Sequence, residues 1–328
     1  MFNEVSKKFK SINLDEMRFP GFLEKRANEI KQCVDNVVNG KGLKEIHECP
    51  ICNCKERKVL FRRFGINIVQ CRECDVGYAE KFPMDMADVY SNEDYLSIAK
   101  SDYLDNVNYR KQRFAGERLE IIRNHLDIPP EKTRLLDVGC GTGWFLGTAK
   151  EVGYQVFGQE LGRDLAAFTS ECLGIKVWKE PFPEIPQEEK FDVITLFDVM
   201  EHVSNPREVV KAIEGHLNLR GIALIFTPNL DSFCFWRLKE RSSQVMPVEH
   251  LFYYTKKSFV NLLNETKLKL LNFETKGMDI PDIYSYYRDE TDQQQVAEFL
   301  KENCSGLQSM IDQSGCANHM RFIVKKEV

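Results

Sequence analysis

The sequence predicts an α/β protein: a mostly parallel sheet covered by helices on both faces, preceded by a small four-cysteine module. Three observations carry this. Short apolar strands alternate with helical stretches from Arg134 to Pro228, the order that builds a doubly covered parallel sheet. A glycine-rich phrase, Gly139-Cys140-Gly141-Thr142-Gly143, sits where the first of those strands turns into a helix. Two C-x-x-C pairs stand close together ahead of both.

The chain has 328 residues, enough for one large domain and a small accessory one. Hydrophobic residues at 43% and charged residues at 29% place it among ordinary globular proteins. A net charge of −5 argues against an extended polyanion-binding surface. No apolar run reaches the roughly 18 residues of a membrane span. The first residues, Met1-Phe2-Asn3-Glu4-Val5-Ser6-Lys7-Lys8, lack the apolar core of a secretory signal, so a cytoplasmic location is expected.

In chain order, residues 1–46 read as a polar N-terminal helical segment, broken at Phe19-Pro20-Gly21 and ended near Gly40-Lys41-Gly42. Residues 47–80 are strand-like and punctuated by cysteine. Residues 81–130 read as a helical linker or cap containing Tyr90, Tyr95, Tyr103 and Tyr109. The sheet domain takes 131–328. Leu135-Leu136-Asp137-Val138-Gly139 is its first strand, and Trp144 to Val152 a helix closed by Gly153. A strand over Gln155–Glu160, a helix to Leu173 and a strand at Lys176–Trp178 follow. Phe191–Phe197 is a buried strand. Pro206 opens a helix at its favoured first-turn position, and Gly221–Pro228 completes the alternation. A helical insertion is expected at about 279–315.

Of the eleven cysteines, five fall between Cys49 and Cys74, and the odd total speaks against a complete disulfide framework. Cys49-Pro50-Ile51-Cys52 and Cys71-Arg72-Glu73-Cys74 are separated by eighteen residues, 53 to 70. At that spacing two knuckles give four thiolates to one tetrahedral Zn²⁺. Four thiolates leave no open position, so such a metal is structural and folds a segment with little core of its own. Cys54 and His47 are the neighbours able to substitute for a ligand.

Glycines at the strand-to-helix turn allow positive φ and close approach of a ligand to the backbone. Glu160 ends the next strand about twenty residues on, where a carboxylate can accept from both hydroxyls of a ribose. The strict dinucleotide pattern G-x-G-x-x-G fails, because its last place falls on Trp144 or Leu146. A looser spacing through Gly147 leaves a dinucleotide dehydrogenase as a distant alternative.

These residues resemble the first motif of the class I S-adenosylmethionine-dependent methyltransferases, an acidic residue followed by G-x-G-x-G, with Asp137, Gly139, Gly141 and Gly143 in its places. Phe191–Pro206 resembles the fourth-strand block of the subgroup that includes the ubiquinone-pathway O-methyltransferases. Phe226-Thr227-Pro228-Asn229 and Val248–Phe259 resemble the segments that follow. The resemblance covers roughly residues 116–328 and implies a Rossmann-like sheet whose last two strands, about Leu268–Thr275 and His319–Lys326, are antiparallel. It implies that Asp137, the glycines and Cys140 lie against the methionine part of S-adenosylmethionine. Glu160, followed by Leu161, would hold the ribose. The loop near Lys179 and Glu180 would frame the adenine, and Phe197 and Asp198 would border the methyl group. Zinc ribbons stand ahead of this fold in sugar-modifying methyltransferases and in certain ribosomal RNA methyltransferases. The tyrosine-rich stretch after Cys74 looks more like the first group, although the large C-terminal domain of its C-methylating members is missing here.

Methyl transfer needs an aligned nucleophile and, for a hydroxyl, a group that takes its proton. His202 and His250, beside Glu201 and Glu249, fall at the carboxyl edge of the expected sheet, where ligands of open α/β folds bind. His250, His202 and Glu249 are therefore the candidate catalytic residues, although a Glu-His pair also braces loops. The leading expectation is methyl transfer to a small-molecule acceptor, a sugar or sugar-nucleotide hydroxyl of a surface-polysaccharide or secondary-metabolite pathway. A second reading makes RNA or protein the acceptor, with Lys55, Arg57, Lys58, Arg62, Arg63 and Arg72 as a basic recognition face on the ribbon. A third is a catalytically silent binding or scaffold subunit.

Overall fold

The computed structural model describes residues 18–86, 89 and 111–327. Tyr90, Tyr95, Tyr103 and Tyr109 lie outside the described residues, as do residues 1–17 of the N-terminal segment. The first described helix, α1 (Phe22–Asn39), follows Gly21 and ends at Gly40, where the sequence placed its boundaries. Strands β1 (Leu43–Glu45), β2 (Arg57–Arg63), β3 (Ile66–Cys71), β4 (Gly77–Ala79) and β5 (Lys81–Pro83) follow, with β1 paired to β5.

The rest alternates as expected. Helix α2 (Gly116–His125) precedes β6 (Arg134–Val138), α3 (Trp144–Val152), β7 (Gln155–Gln159), α4 (Arg163–Leu173), β8 (Val177–Trp178), β9 (Phe191–Phe197), α5 (Pro206–His216) and β10 (Leu217–Pro228). Then come α6 (Phe233–Leu238), β11 (Phe252–Tyr253), α7 (Lys256–Leu263), β12 (Leu268–Thr275) and β13 (His319–Lys326). The insertion before β13 holds three helices, α8 (Asp279–Glu290), α9 (Gln294–Glu302) and α10 (Cys304–Ser314). Among the described residues no helix is long and apolar enough to cross a membrane.

Seven strands form one sheet in the order β12-β13-β10-β9-β6-β7-β8. It is parallel from β10 to β8, while β13 runs antiparallel to both β10 and β12. Its central strands are buried on both faces; Leu135, Leu136, Val193, Ile194, Leu224 and Ile225 are all fully inaccessible. This explains their continuous apolar runs in place of alternation. The order reverses between β6 and β9, and in open α/β sheets the ligand crevice lies at such a switch point, at the carboxyl ends of the strands.

A second sheet, in the order β11-β4-β3-β2, joins the cysteine module to the segment that follows β10. Tyr78 pairs with Phe252 and Gly77 with Tyr253, and the Ala79 amide donates to the Leu251 carbonyl at 3.0 Å. Gly77 permits this closeness. A Cβ there would lie 3.0 Å from both the Tyr253 Cβ and the Leu230 Cδ2. The module is thus built into the molecule by a strand that no local pattern in the sequence revealed.

Candidate functional site

The crevice is lined first by the turn after β6. Gly139, Gly141 and Gly143 all have positive φ, at 66°, 54° and 74°. Their tasks differ. A Cβ on Gly143 would meet Thr169 Cγ2 at 2.5 Å, so that glycine lets α3 pack against α4; a Cβ on Gly141 would meet nothing within 4 Å, so that glycine faces open space. The Thr169 hydroxyl holds the Gly141 carbonyl at 2.6 Å.

Two carboxyl groups frame this turn. Asp137 ends β6, accepts the Thr195 hydroxyl at 2.6 Å and is only 4% exposed. Burial pushes its carboxyl up to about 7, against the Thr195 hydrogen bond and the nearby Arg118. Glu160 follows β7 and accepts from the Gly141 amide at 3.0 Å and from the Gly162 amide at 2.8 Å. Burial raises its carboxyl as well. Leu161 beyond it is exposed. Cys140 is buried under the turn, and a Cβ on Gly158 would lie 2.8 Å from its sulfur.

Sequence reasoning missed two residues here. Gln159 accepts from the Gly139 amide at 3.3 Å and donates to the Glu180 carbonyl at 3.0 Å, tying the glycine turn to the loop after β8. Arg118, on α2, reaches over the same edge. Its guanidinium lies 3.7 Å from the Phe197 ring centroid, 4.8 Å from Trp144 and 5.6 Å from Phe226. Desolvation lowers it to about 10, and among the described residues no carboxylate lies within ion-pair distance. In sequence it is one charge in a polar helical stretch, with no signal that it faces the crevice. Phe197 and Asp198 end β9. Asp198 has φ 58° and pairs with His319 at the start of β13, 3.1 Å away. Glu180 is exposed, on the far side of the turn from β9.

The two histidines come together. Their rings meet edge to face with centroids 4.6 Å apart, and Glu201, His202 and His250 each offer an atom within 4.8 Å of the others. His250 is buried, and its Nδ1 lies 2.9 Å from the Gln244 carbonyl. A carbonyl only accepts, so Nδ1 carries the proton and Nε2 a lone pair. Desolvation lowers His202 to about 4 and holds His250 well below its ordinary value, so both rings are neutral at pH 7. Glu201 accepts the Thr227 hydroxyl at 3.0 Å, and burial raises its carboxyl well above its ordinary value. The Glu249 carboxylate does not join this group. It faces Arg26 of α1 at 3.9 Å.

In the cysteine module the Cys49 and Cys74 sulfurs are 3.6 Å apart and those of Cys52 and Cys71 3.4 Å. All four lie within 4.8 Å of one another. Tetrahedral zinc with sulfur at ~2.3 Å sets its ligands roughly 3.8 Å apart, close to this, whereas a disulfide needs about 2.05 Å. Cys54 turns instead to the Glu56 carbonyl, and His47 is exposed outside the cluster. The basic face of the module is thinner than the sequence suggested. Arg57 is spent on Glu80 and the Ile46 carbonyl, and Arg63 on the Ser242 and Val245 carbonyls.

Residues 109–272, half of the chain, match the model of a family described as a methyltransferase domain. The match spans the glycine turn and both histidines and excludes the four cysteines. Among curated relatives, a ubiquinone biosynthesis O-methyltransferase of Idiomarina loihiensis is 33% identical over 124 residues, which are 34% of this chain and 49% of the relative. One from Nitrosococcus oceani is 36% identical over 119 residues, 34% of this chain and 50% of the relative. The chain spans about half the length of the curated relatives it matches. Among solved structures, the plantazolicin methyltransferase BpumL in complex with SAH superposes with a TM-score of 0.50 at 17% identity, covering 74% of this chain and 94% of that one. That likeness is one of fold.

Proposed function

The chain belongs to the methyltransferase-domain family, and from that premise we propose that it transfers the methyl group of S-adenosylmethionine to a hydroxyl of a small-molecule acceptor. The observation that carries the reading is the crevice itself. It combines a glycine turn open at Gly141, two buried carboxyl groups with raised pKa, and a guanidinium that, among the described residues, has no carboxylate within ion-pair distance. That donor set fits a ligand carrying an ammonium, a carboxylate and a ribose.

S-adenosylmethionine supplies an electrophilic methyl group on a sulfonium. The chain's residues supply position and charge. Asp137 in its ionised form accepts from the ammonium of the methionine part, and Arg118 takes the carboxylate. Glu160 keeps free lone pairs for the ribose hydroxyls while the Gly141 and Gly162 amides hold it in place. Cys140 and Leu161 flank these contacts, and the loop at Lys179 and Glu180 frames the adenine. Phe197 and Asp198 border the reacting carbon. His250, whose Nε2 has a free lone pair, is the candidate base for the acceptor proton. His202 stands against it and is hydrogen-bonded to the backbone of Glu249, whose carboxylate turns away. At the cysteine module, Cys49, Cys52, Cys71 and Cys74 would hold a structural Zn²⁺.

Replacing Arg118 with Met should weaken S-adenosylhomocysteine binding about tenfold, because a charge-assisted hydrogen bond is worth roughly 1.5–3 kcal/mol and the carboxylate keeps other donors. Calorimetry reads this directly. Unchanged affinity removes Arg118 from the cofactor site.

An O-methylation is supported by the names of the matched relatives. The ribbon and the acidic net charge support a sugar or sugar-nucleotide hydroxyl. Tritiated methyl transfer into a fractionated cell extract separates the two. Label in a water-soluble carbohydrate fraction supports the sugar, and label in a lipid fraction supports a quinone-type phenol. Label in RNA or protein overturns the small-molecule reading; the two inward-turned arginines of the ribbon weigh against that outcome.

A further inference from the structure

The loop from Ser242 to Tyr254 carries His250 and has turn hydrogen bonds of its own, among them His250 N–H to the Met246 carbonyl at 2.7 Å, yet it also holds a strained residue. Val248, a β-branched residue, sits at φ 73°. A backbone strained in this way persists only when its surroundings over-determine it. Three sets of contacts do so. The Leu251 and Phe252 amides donate to the Glu201 carbonyl at 2.7 and 3.1 Å, binding the loop to the segment that holds His202. Strand β4 of the cysteine module pairs with β11. The third contact comes from the end of β2, where Arg63 Nη1 donates to the Ser242 carbonyl at 2.9 Å and to the Val245 carbonyl at 2.6 Å.

Even partly burying a guanidinium, as for the half-buried Arg63, costs free energy that a carboxylate partner usually offsets. Among the described residues Arg63 has no such partner within 4 Å, and its charge is answered by the two carbonyls. These carbonyls bracket Gln244, whose own carbonyl meets His250 Nδ1.

We propose that Arg63, on the cysteine module, is a positioning residue for His250. By clamping the Ser242 and Val245 carbonyls it fixes the turn that presents the Gln244 carbonyl, and this selects the Nδ1–H tautomer and leaves Nε2 as an acceptor. The inference rests on the reading of His250 as the base, and the cysteine module thereby becomes part of the reaction's machinery. Which ring nitrogen carries a proton is set by the hydrogen bond the other makes, and here that bond is held from outside the family-matched region.

The test uses the full chain and the nitrogen NMR signals of the His250 ring, with hydrogen exchange over 242–254. The wild-type ring should show a protonated Nδ1 and a bare Nε2. Arg63→Met keeps the length and removes the donors. It should mix the two tautomers and speed exchange at the His250 and Leu251 amides roughly tenfold, leaving β6, β9 and β10 as protected as before. Arg63→Lys, which keeps the cation and can reach one carbonyl, should restore part of both signals. Arg62→Met, on the exposed neighbour that meets the Gly65 carbonyl at 3.4 Å, should change neither. A wild-type ring protonated on Nε2 overturns the proposal without any variant. So does an unchanged tautomer in a folded Arg63→Met, or faster exchange spread evenly over the whole sheet. Calorimetry with S-adenosylhomocysteine on the wild type is independent of these signals. If it shows no binding, the methyltransferase reading fails and the tautomer result stands.

Discussion

Chelating the metal of the wild-type protein should release about one zinc per chain and melt residues 47–80, while the seven-stranded sheet stays closed. Four thiolate bonds contribute roughly 10–16 kcal/mol to the folding of a small zinc module, comparable to the whole stability of a domain at about 5–15 kcal/mol. The module's strands are short and β2 exposes much of its length, while β3 and β4 depend on packing into the main core, in a register that the four-cysteine knuckles set. Because β4 pairs with β11, the loss should spread to His250 and Tyr254. The glycine turn lies on another part of the sheet and shares no strand with the module. Hydrogen exchange after chelation should thus show rapid exchange at 57–79 and 250–254, with affinity for S-adenosylhomocysteine within about threefold of the starting value. Cys74→Ser should give the same pattern. A protein that purifies without zinc and is fully protected in both segments would overturn the metal assignment.

Asp137→Asn should lower cofactor affinity and raise stability together. The folded carboxyl titrates at about 7, above its ordinary 3.8, because burial penalises the charge. A raised acid binds its proton more tightly folded than unfolded, so it costs nothing below about pH 4. Stability then falls as pH rises from there to about 7. The difference corresponds to at most roughly 4 kcal/mol above pH 7. Asparagine removes that cost and still accepts the Thr195 hydroxyl. At pH 8 the variant should melt about 5 °C higher, on the scale of a few degrees per kcal/mol for a chain of this size. It loses a charge-assisted bond to the ammonium, so S-adenosylhomocysteine should bind about 10–100-fold more weakly. The wild type should bind more tightly as pH rises from 6 to 8, and the variant should not. A variant that melts lower at pH 8 shows that the buried charge was compensated. One that binds normally shows that Asp137 lies outside the cofactor site.

The fold was legible because its signals are local. Helix α3 runs from Trp144 to Val152 and β9 from Phe191 to Phe197, as the apolar runs and flanking glycines required. Both last strands stand where the resemblance put them, at Leu268–Thr275 and His319–Lys326. Three helices stand between them, from Asp279 to Ser314. The cysteine spacing likewise foretold the cluster of four sulfurs and left Cys54 to one side.

What a side chain faces was not legible. Glu249 adjoins His250 in sequence, yet its carboxylate turns to Arg26, and Glu201 is the carboxyl beside the histidines. Arg63 reads as one of six basic residues on a ribbon, but it is half-buried against a loop about 180 residues away. Arg118 reads as helix surface and lies over aromatic rings at the sheet edge. The sequence by itself determined the strands of the main sheet, the glycine turn and the cysteine spacing, because periodicity, backbone freedom and the reach of neighbouring thiols act over a few residues. Only the tertiary structure decided which charges meet and that the cysteine module braces the histidine loop. Those outcomes depend on contacts between distant segments and on the loss of water around them, and neither leaves a trace in local pattern.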